Sequence, residues 1–351
     1  MSTFLPPRVR RIVPGIGPKD ARIAIVGEAP GAYEDAQLKP FVGPAGSVLE
    51  QCLHAAGIIK ADVYLTNVVK VRPSKNDISP YFNGKTFSAE GIEWVRELRE
   101  ELDNHGANVI VACGGTAFAA LTGHTQITKF RGYVFESIEL HNPRKIIPTI
   151  HPAACLYDRK GGAKGGLSAS EWKPFLFRHI IATDLKKAKV ESATRELRRP
   201  ERQLVYNFAN AGEVLEWLDY FFAQPVLAFD IEVVNYEIAC ISFASTPNIA
   251  CSIPLAGRWS ELDELQIWRG IQRVLGNPFS VKVGQNLIFD IQFLHSRCGI
   301  EVRGLVHDTM IAHSVMFPEL PKGLGFLGSI YCGTQSYWKD MVKFSNIKEN
   351  S

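Results

Sequence analysis

Short apolar runs alternate with amphipathic stretches along the first half of the chain. Residues 21–27 form an apolar run that ends at a glycine, which is typical of a buried strand. Residues 46–56 carry apolar side chains at helical spacing and stop before Gly57, a residue type that often terminates helices. The same reasoning predicts strands at 62–67, 107–113 and 146–150, and helices at 87–104, at 115–121 and within 171–190.

Repeated strand–helix units of this kind predict a parallel sheet with helices on both of its faces. In such sheets, ligands bind beyond the carboxyl ends of the strands. Glu28, Asn67 and His151 each lie at or directly after the carboxyl end of a predicted strand. We therefore expect these three side chains to share a pocket.

A second module follows a charged connector. It begins with a predicted helix at 211–222 and continues with three closely spaced apolar strands, which favour an antiparallel meander. The strands are 226–232, 238–244 and 249–253, and two amphipathic helices follow at 261–275 and 287–298.

Composition limits the class of protein. The chain has 351 residues, and at ~150 residues per domain this length predicts roughly two domains. With 46% hydrophobic and 21% charged residues, a folded globular protein is expected rather than a disordered one.

The 7 cysteines form no C-x-x-C pair, which favours a reducing compartment and excludes a zinc ribbon. Because we find no signal peptide and no apolar run of membrane-spanning length, we expect a cytoplasmic protein without a membrane partner.

Charge is distributed unevenly along the chain. The net charge is +3, but residues 1–202 are basic overall and residues 203–351 are acidic overall. Residues 156–202 hold 12 basic and 6 acidic side chains. This stretch would attract a polyanion such as nucleic acid, or it forms a solvated linker helix; charge alone leaves both interpretations open.

Four ordered segments of the first half resemble motifs of the family 4 uracil-DNA glycosylases. They are GEAPG at 27–31 with the following residues 34–46, LTNVVKVRP at 65–73, ITKFRG at 127–132 and HPAACL at 151–156. Taken singly, each residue has an ordinary structural explanation, so the order of the segments carries the resemblance. It covers residues 20–190 and implies a three-layer α/β/α domain over 1–190 that removes uracil from DNA.

The resemblance implies two catalytic residues. Breaking an N-glycosidic bond places positive charge on the sugar and negative charge on the departing base. Glu28 would stabilise the cationic sugar or orient a water molecule. His151, as a neutral imidazole, would donate a hydrogen bond to O2 of the base.

The same resemblance implies a uracil-binding set and several DNA contacts. Asn67 would read the N3–H and O4 edge, Phe41 would stack on the flipped base, and Glu34 would crowd the C5 side next to Ala29. The predicted DNA-binding residues are Lys129, Arg131, Arg159 and Lys160.

One feature departs from the family pattern. Family 4 enzymes typically hold an iron–sulfur cluster with four cysteines, two of them near the amino terminus. Here no cysteine precedes Cys52, and Val71 stands where a later ligand is expected. Valine cannot replace a thiolate, so we expect no cluster in the glycosylase domain. The resemblance is thus to cluster-free members, including the front domain of some phage A-family DNA polymerases.

The second module resembles the DnaQ-like 3′–5′ exonucleases. Asp230 and Glu232 project from one face of an apolar strand, because side chains at i and i+2 point the same way. Asn286 and Asp290 complete an Asn-x₃-Asp pattern. The resemblance implies an RNase H-like α/β domain over 203–351, joined by a basic linker at 191–202. Its metal ligands for Mg²⁺ or Mn²⁺ would be Asp230, Glu232 and Asp290, whereas Asp308 would be structural at a helix start.

The third exonuclease motif is not found. Tyr337 and Asp340 have the wrong spacing, and the sequence ends at Ser351, so we expect the exonuclease domain to be incomplete at its C-terminus.

Three functions remain open. The chain is a uracil-DNA glycosylase with an exonuclease-like appendage, a non-catalytic front portion of a phage polymerase that binds DNA or senses uracil, or a nuclease. The expected partners are uracil-containing DNA and a polymerase chain or polymerase domain.

Overall fold

The computed structural model describes residues 11–137, 139–156, 174–198 and 201–332. Contacts between residues divide the chain into two compact units. Among the described residues, the first unit comprises those up to Arg198 together with Gly325–Cys332, and the second comprises those from 201 to Leu324. The sequence predicted 203–351 as one domain, whereas the contacts group Gly325–Cys332 with the first unit.

A five-stranded sheet forms the centre of the first unit. Its strands and those of a small separate hairpin are β1 (Ile23–Gly27), β2 (Tyr64–Asn67), β3 (Phe82–Asn83), β4 (Thr86–Phe87), β5 (Val109–Cys113), β6 (Phe135–Glu136) and β7 (Lys145–Thr149). The order across the sheet is β2-β1-β5-β7-β6, and all neighbours are parallel except β6, which is antiparallel to β7. The predicted parallel sheet is therefore confirmed.

Helices cover both faces of this sheet. They are α1 (Ala32–Gln37), α2 (Pro44–Ala55), α3 (Ala89–Asp103), α4 (Gly115–Thr122), α5 (Ile127–Phe130) and α6 (Pro174–Glu191). Four short 3₁₀ helices lie at Lys60–Asp62, Ser74–Asn76, Ser79–Tyr81 and Pro152–Cys155. Alternate strand residues such as Ala24 and Ile110 share one apolar core with α3 and α4, and α2 contacts α6 on the other side. The result is the three-layer α/β/α arrangement that the strand–helix pattern predicts.

The second unit contains a mixed six-stranded sheet. Its strands are β8 (Gln203–Val205), β9 (Val226–Val234), β10 (Glu237–Thr246), β11 (Ile249–Pro254), β12 (Val281–Gly284) and β13 (Val306–Asp308). The order is β13-β12-β9-β10-β11-β8. Strands β9, β10 and β11 pair antiparallel, which confirms the predicted meander. Strands β8, β12 and β13 were not predicted, and they pair in parallel with β11, β9 and β12 respectively.

The helices of the second unit are α7 (Ala211–Phe222), α8 (Glu261–Leu275), α9 (Leu287–Cys298) and α10 (Thr309–Met316). The apolar sides of α7, α8 and α9 pack with the sheet in a core that includes Leu218, Phe243 and Ile271. A last helix, α11 (Leu324–Tyr331), belongs to the first unit from Gly325 onward. Among the described residues, no helix combines the length and the apolarity that crossing a bilayer requires.

Candidate functional site

A cavity of about 320 Å³ lies in the first unit beyond the carboxyl ends of its parallel strands. The sequence predicted two catalytic and four uracil-binding residues, and all six contribute to its lining. They are Glu28, Ala29, Glu34, Phe41, Asn67 and His151. Sheet order explains this meeting, because the segments that follow β1, β2 and β7 leave the sheet at the same edge.

Glu28 is fixed by two neighbouring segments. Its backbone carbonyl accepts a hydrogen bond from the amide of Val69 at 3.0 Å. Its carboxylate Oε2 accepts a hydrogen bond from the hydroxyl of Thr116 at 2.5 Å. The sequence did not single out Thr116; its one signal is its place directly after Gly114 and Gly115, at the carboxyl end of a buried strand.

His151 is held in one tautomer. Its Nδ1 accepts a hydrogen bond from the backbone N–H of Ala153 at 3.2 Å, so the ring proton resides on Nε2. Burial lowers the pKa of His151 below its usual range, although Glu28 and Glu34 act in the opposite direction. The ring is therefore a neutral hydrogen-bond donor through Nε2, and its predicted contact with O2 of the base stays a prediction.

Close packing around Gly27 brings the aromatic ring of Phe41 next to the side-chain amide of Asn67. A Cβ at Gly27 would lie 2.3 Å from Oδ1 of Asn67 and 2.8 Å from Cζ of Phe41, so a larger residue would displace both. Phe41 is 5% exposed and adopts a φ of +54°, a left-handed conformation that is costly for an aromatic residue. Such strain is tolerated where the surroundings enforce it, and here it directs the ring at the cavity wall.

Glu34 joins two glycine loops. One carboxylate oxygen accepts the N–H of Gly31 at 3.1 Å, and the other accepts the N–H of Gly43 at 3.0 Å. Glu34 does line the cavity, but both of its oxygens are engaged by backbone. Its predicted role against a C5 methyl group stays a prediction, while the loop contacts are an additional function that the sequence did not reveal.

The predicted DNA-binding residues differ in burial and in their contacts. Arg131 is 1% exposed and its guanidinium forms a buried ion pair with Asp184, so the prediction that it contacts DNA is wrong. Lys129 is half-buried, with its ammonium group 4.9 Å from the centre of the Phe130 ring, and its DNA contact stays a prediction. Arg159 and Lys160 lie outside the described residues.

Three carboxylates of the second unit lie near one another. Asp230 and Glu232 are exposed on one face of β9, whereas Asp290 is 4% exposed and its Oδ1 accepts the N–H of Ile231 at 2.9 Å. Desolvation, with the charges of Asp290 and Glu232, raises the pKa of Asp230 to about 6. Desolvation likewise raises the pKa of Asp290.

The predicted metal-binding role of these carboxylates depends on how they are arranged. Among the described residues, no group of three or more histidine, cysteine, aspartate or glutamate side chains is arranged to hold a metal ion. One carboxylate oxygen of Asp290 accepts the amide of Ile231. The three predicted ligands are neighbours in the structure, and their role as metal ligands stays a prediction.

Asp308 has the structural role that the sequence predicted. Its carboxylate accepts hydrogen bonds from the amides of Met310 and Ile311 at the start of α10. It also accepts the amides of Asn286 and Leu287 at the start of α9. Tyr337 and Asp340, the imperfect third motif, lie outside the described residues.

Two protein-family models match the chain. The uracil DNA glycosylase superfamily matches residues 14–173, and a 3′–5′ exonuclease family matches residues 208–345. The two matches follow the order and approximate extent of the two resemblances found in the sequence.

Curated relatives extend these matches. A type-4 uracil-DNA glycosylase of Thermotoga maritima is 34% identical over 180 residues, which are 51% of this chain and 81% of the relative. A type-4 uracil-DNA glycosylase of Archaeoglobus fulgidus is 38% identical over 152 residues, which are 41% of this chain and 72% of the relative. A DNA polymerase of Bacillus phage SP01 is 26% identical over 330 residues, which are 86% of this chain and 33% of the polymerase.

Proposed function

Because the chain belongs to the type-4 uracil-DNA glycosylase family and also carries a 3′–5′ exonuclease domain, we propose that its first unit excises uracil at the cavity formed by Glu28, Asn67 and His151. DNA is the substrate that both domains imply. The observation that supports this site best is that all six residues selected from the sequence line one cavity.

One side of the site would recognise the uracil base and stabilise the negative charge that it gains as it leaves. A uracil extruded from the helix would stack against Phe41 and present its N3–H and O4 edge to the amide of Asn67. Nε2–H of His151 would donate to O2 as negative charge develops on the base. Because the ring is already neutral and held by Ala153, this donor needs no reorganisation during the reaction.

The sugar side of the site provides a negative charge. As the glycosidic bond breaks, the sugar gains positive charge, and the carboxylate of Glu28 would stabilise that charge or orient the attacking water molecule. Water supplies hydroxyl to the sugar carbon and its proton to the base, so the products are free uracil and an abasic site. None of these steps requires a metal ion.

The residues do not fit an iron–sulfur cluster. Val71 is 4% exposed, bridges to Ile12 and packs in an apolar core, so no thiolate is available at that position. Burial raises the pKa of both Cys52 and Cys155 to about 11, which keeps them as thiols rather than the thiolates that iron requires. We therefore propose that this glycosylase domain works without the cluster that is typical of its family.

The exonuclease domain has different chemical requirements from the glycosylase domain. Domains of this family typically use divalent metal ions. In this conformation Asp290 is hydrogen-bonded to Ile231, and the three carboxylates do not present a common ligand set. We propose that this unit binds DNA, a role supported by its match to a 3′–5′ exonuclease family.

The glycosylase reaction can be tested in EDTA. A duplex with one uracil is incubated with the protein in EDTA and then treated with alkali, which cuts the strand at an abasic site. We expect scission at uracil but not at thymine in the same position. Glu28→Gln and His151→Ala should each reduce the rate by about 100-fold or more. Glu100→Gln, on an exposed part of α3, is the matched control. Undiminished scission in Glu28→Gln and His151→Ala would contradict the proposed site.

A second function is favoured by one observation. The match to the phage polymerase covers both units of this chain and 33% of the polymerase. That coverage supports the alternative that the chain acts as the front portion of a replicase, binding DNA or sensing uracil without cutting it. Retained binding to uracil-containing DNA without any scission would favour this alternative over the glycosylase.

A further inference from the structure

The carboxylate of Glu28 is bound by a hydroxyl from a different strand–helix connection. Thr116 Oγ1 donates a hydrogen bond of 2.5 Å to Glu28 Oε2, although the two residues are 88 positions apart in the sequence. Thr116 is 8% exposed. Within the described part of the chain, no hydrogen bond reaches the other oxygen, Oε1. The carboxylate thus has one occupied and one available oxygen.

The sheet order explains how Thr116 reaches Glu28. Strand β5 lies between β1, which precedes Glu28, and β7, which precedes His151. The chain leaves β5 through Gly114, whose φ of +90° and lack of a side chain allow Cβ of His151 to approach closely. The amide of Gly114 also donates to the carbonyl of Thr149 at 2.9 Å. The first turn of α4, which contains Thr116, is therefore fixed between the two proposed catalytic residues.

We propose that Thr116 is a positioning residue for the glycosylase reaction. Its hydroxyl holds Oε2 of Glu28, which orients the carboxylate and leaves Oε1 to face the sugar or the water molecule. A hydrogen bond to an ionised carboxylate is stronger than one between neutral groups, and it restricts the rotation of the side chain. This inference rests on the proposed function, because it acts through Glu28.

Two substitutions separate the hydroxyl from the shape of the side chain. Thr116→Val keeps the branched shape but removes the donor, whereas Thr116→Ser keeps the donor and removes a methyl group. We expect Thr116→Val to lower kcat for uracil excision by about 10- to 100-fold with little change in KM. Thr116→Ser should retain most of the kcat that Thr116→Val loses.

A double-mutant cycle tests whether Thr116 acts through Glu28. In a Glu28→Gln background, Thr116→Val should cause little additional loss of kcat, because the carboxylate that it orients is gone. Full multiplication of the two losses would overturn the inference. An equal loss of kcat in Thr116→Ser and Thr116→Val, or a large loss of folding stability with unchanged kcat, would also overturn it.

The same measurements distinguish this inference from the function on which it rests. If Glu28→Gln retains full activity, the proposed role of Glu28 is wrong and the role of Thr116 is lost with it. If Glu28→Gln is inactive but Thr116→Val is fully active, the glycosylase site stands and only the positioning role is wrong.

Discussion

A single backbone contact determines the chemistry of His151. Because Nδ1 accepts the amide of Ala153, the ring presents Nε2–H, and burial lowers its pKa below the usual value of about 6.5. We expect the ring to become charged only at a lower pH than an ordinary histidine does. Nitrogen-15 NMR of the labelled protein would show the Nε2–H tautomer. A ring that titrates at the ordinary value, or that carries its proton on Nδ1, would contradict this.

Asp230 gives the second unit a pH-dependent stability. Its pKa is raised to about 6, mainly by desolvation and then by the charges of Asp290 and Glu232. The folded state therefore holds this proton more tightly than the unfolded state, whose pKa is near 3.9. The stabilisation is present below about pH 4 and is lost as the pH rises through 6.

Asp230→Asn should remove this pH dependence. At pH 7.5 the variant should be more stable than the parent by up to about 1 kcal/mol, because solvent screens an exposed carboxylate. At pH 4 the two proteins should be equally stable. Urea unfolding at both pH values measures this, and Glu216→Gln, an exposed carboxylate on α7, is the control. Equal stability of Asp230→Asn and the parent at pH 7.5 would show that ionised Asp230 does not destabilise the folded state.

At the scale of elements, the buried pair of Arg131 and Asp184 connects α6 to the segment after α5. Asp184 also accepts the hydroxyl of Thr149 at 2.7 Å at the end of β7. Removing one partner of a buried ion pair leaves the other charge without compensation, which typically costs about 3–5 kcal/mol.

Arg131→Met should therefore destabilise the first unit by about 3 kcal/mol without changing the salt dependence of DNA binding. Lys129→Met is the matched comparison, since it should leave stability nearly unchanged and lower the slope of log affinity against log salt by about 1. Urea unfolding and DNA titrations at several salt concentrations give both quantities. A reduced salt slope in Arg131→Met would restore its predicted DNA contact.

Elements and site residues differ in how well the sequence predicts them. Buried strands such as β1 and β5 are apolar throughout, so their burial is evident in the sequence. Strand β12 has only four residues and contains Lys282, whose buried ammonium group donates to the carbonyl of Ser280 at 3.0 Å. Because Lys282 interrupts the apolar pattern, the sequence does not predict β12. The sequence also wrongly predicts that Arg131 is on the surface. Its charge alone suggests exposure, and its buried partner Asp184 lies 53 residues away in the sequence.

The residues of the candidate site also differ in whether the sequence predicts them. Glu28, Asn67 and His151 could be placed because parallel strands end at one edge of the sheet. Thr116 could not, because a threonine in a first helical turn is common and its role depends on the order of strands. The double contact of Glu34 with Gly31 and Gly43 depends on the folded path of two loops, which no sequence spacing reveals.

The last helix among the described residues, α11, groups with the glycosylase unit. The described residues Gly325–Cys332 group with the first unit, so residues 199–324 stand in the sequence between two parts of that unit. Lys187 donates to the carbonyls of Ser329 and Cys332, both at 2.8 Å. Arg131 donates to the hydroxyl of Ser329 at 3.0 Å. Helix α11 thus provides acceptors for two largely buried cations.

The stability of the first unit should depend on α11. A chain that ends at Arg198 leaves Lys187 and Arg131 with unsatisfied donors, each of which typically costs about 1–3 kcal/mol. We expect this truncated chain to unfold at clearly lower urea concentration than a chain in which a flexible Gly-Ser linker replaces residues 199–324. The linker chain keeps α11 and should retain the uracil-excision rate of the full protein. Equal midpoints for the two shortened chains would show that α11 contributes nothing to the glycosylase unit.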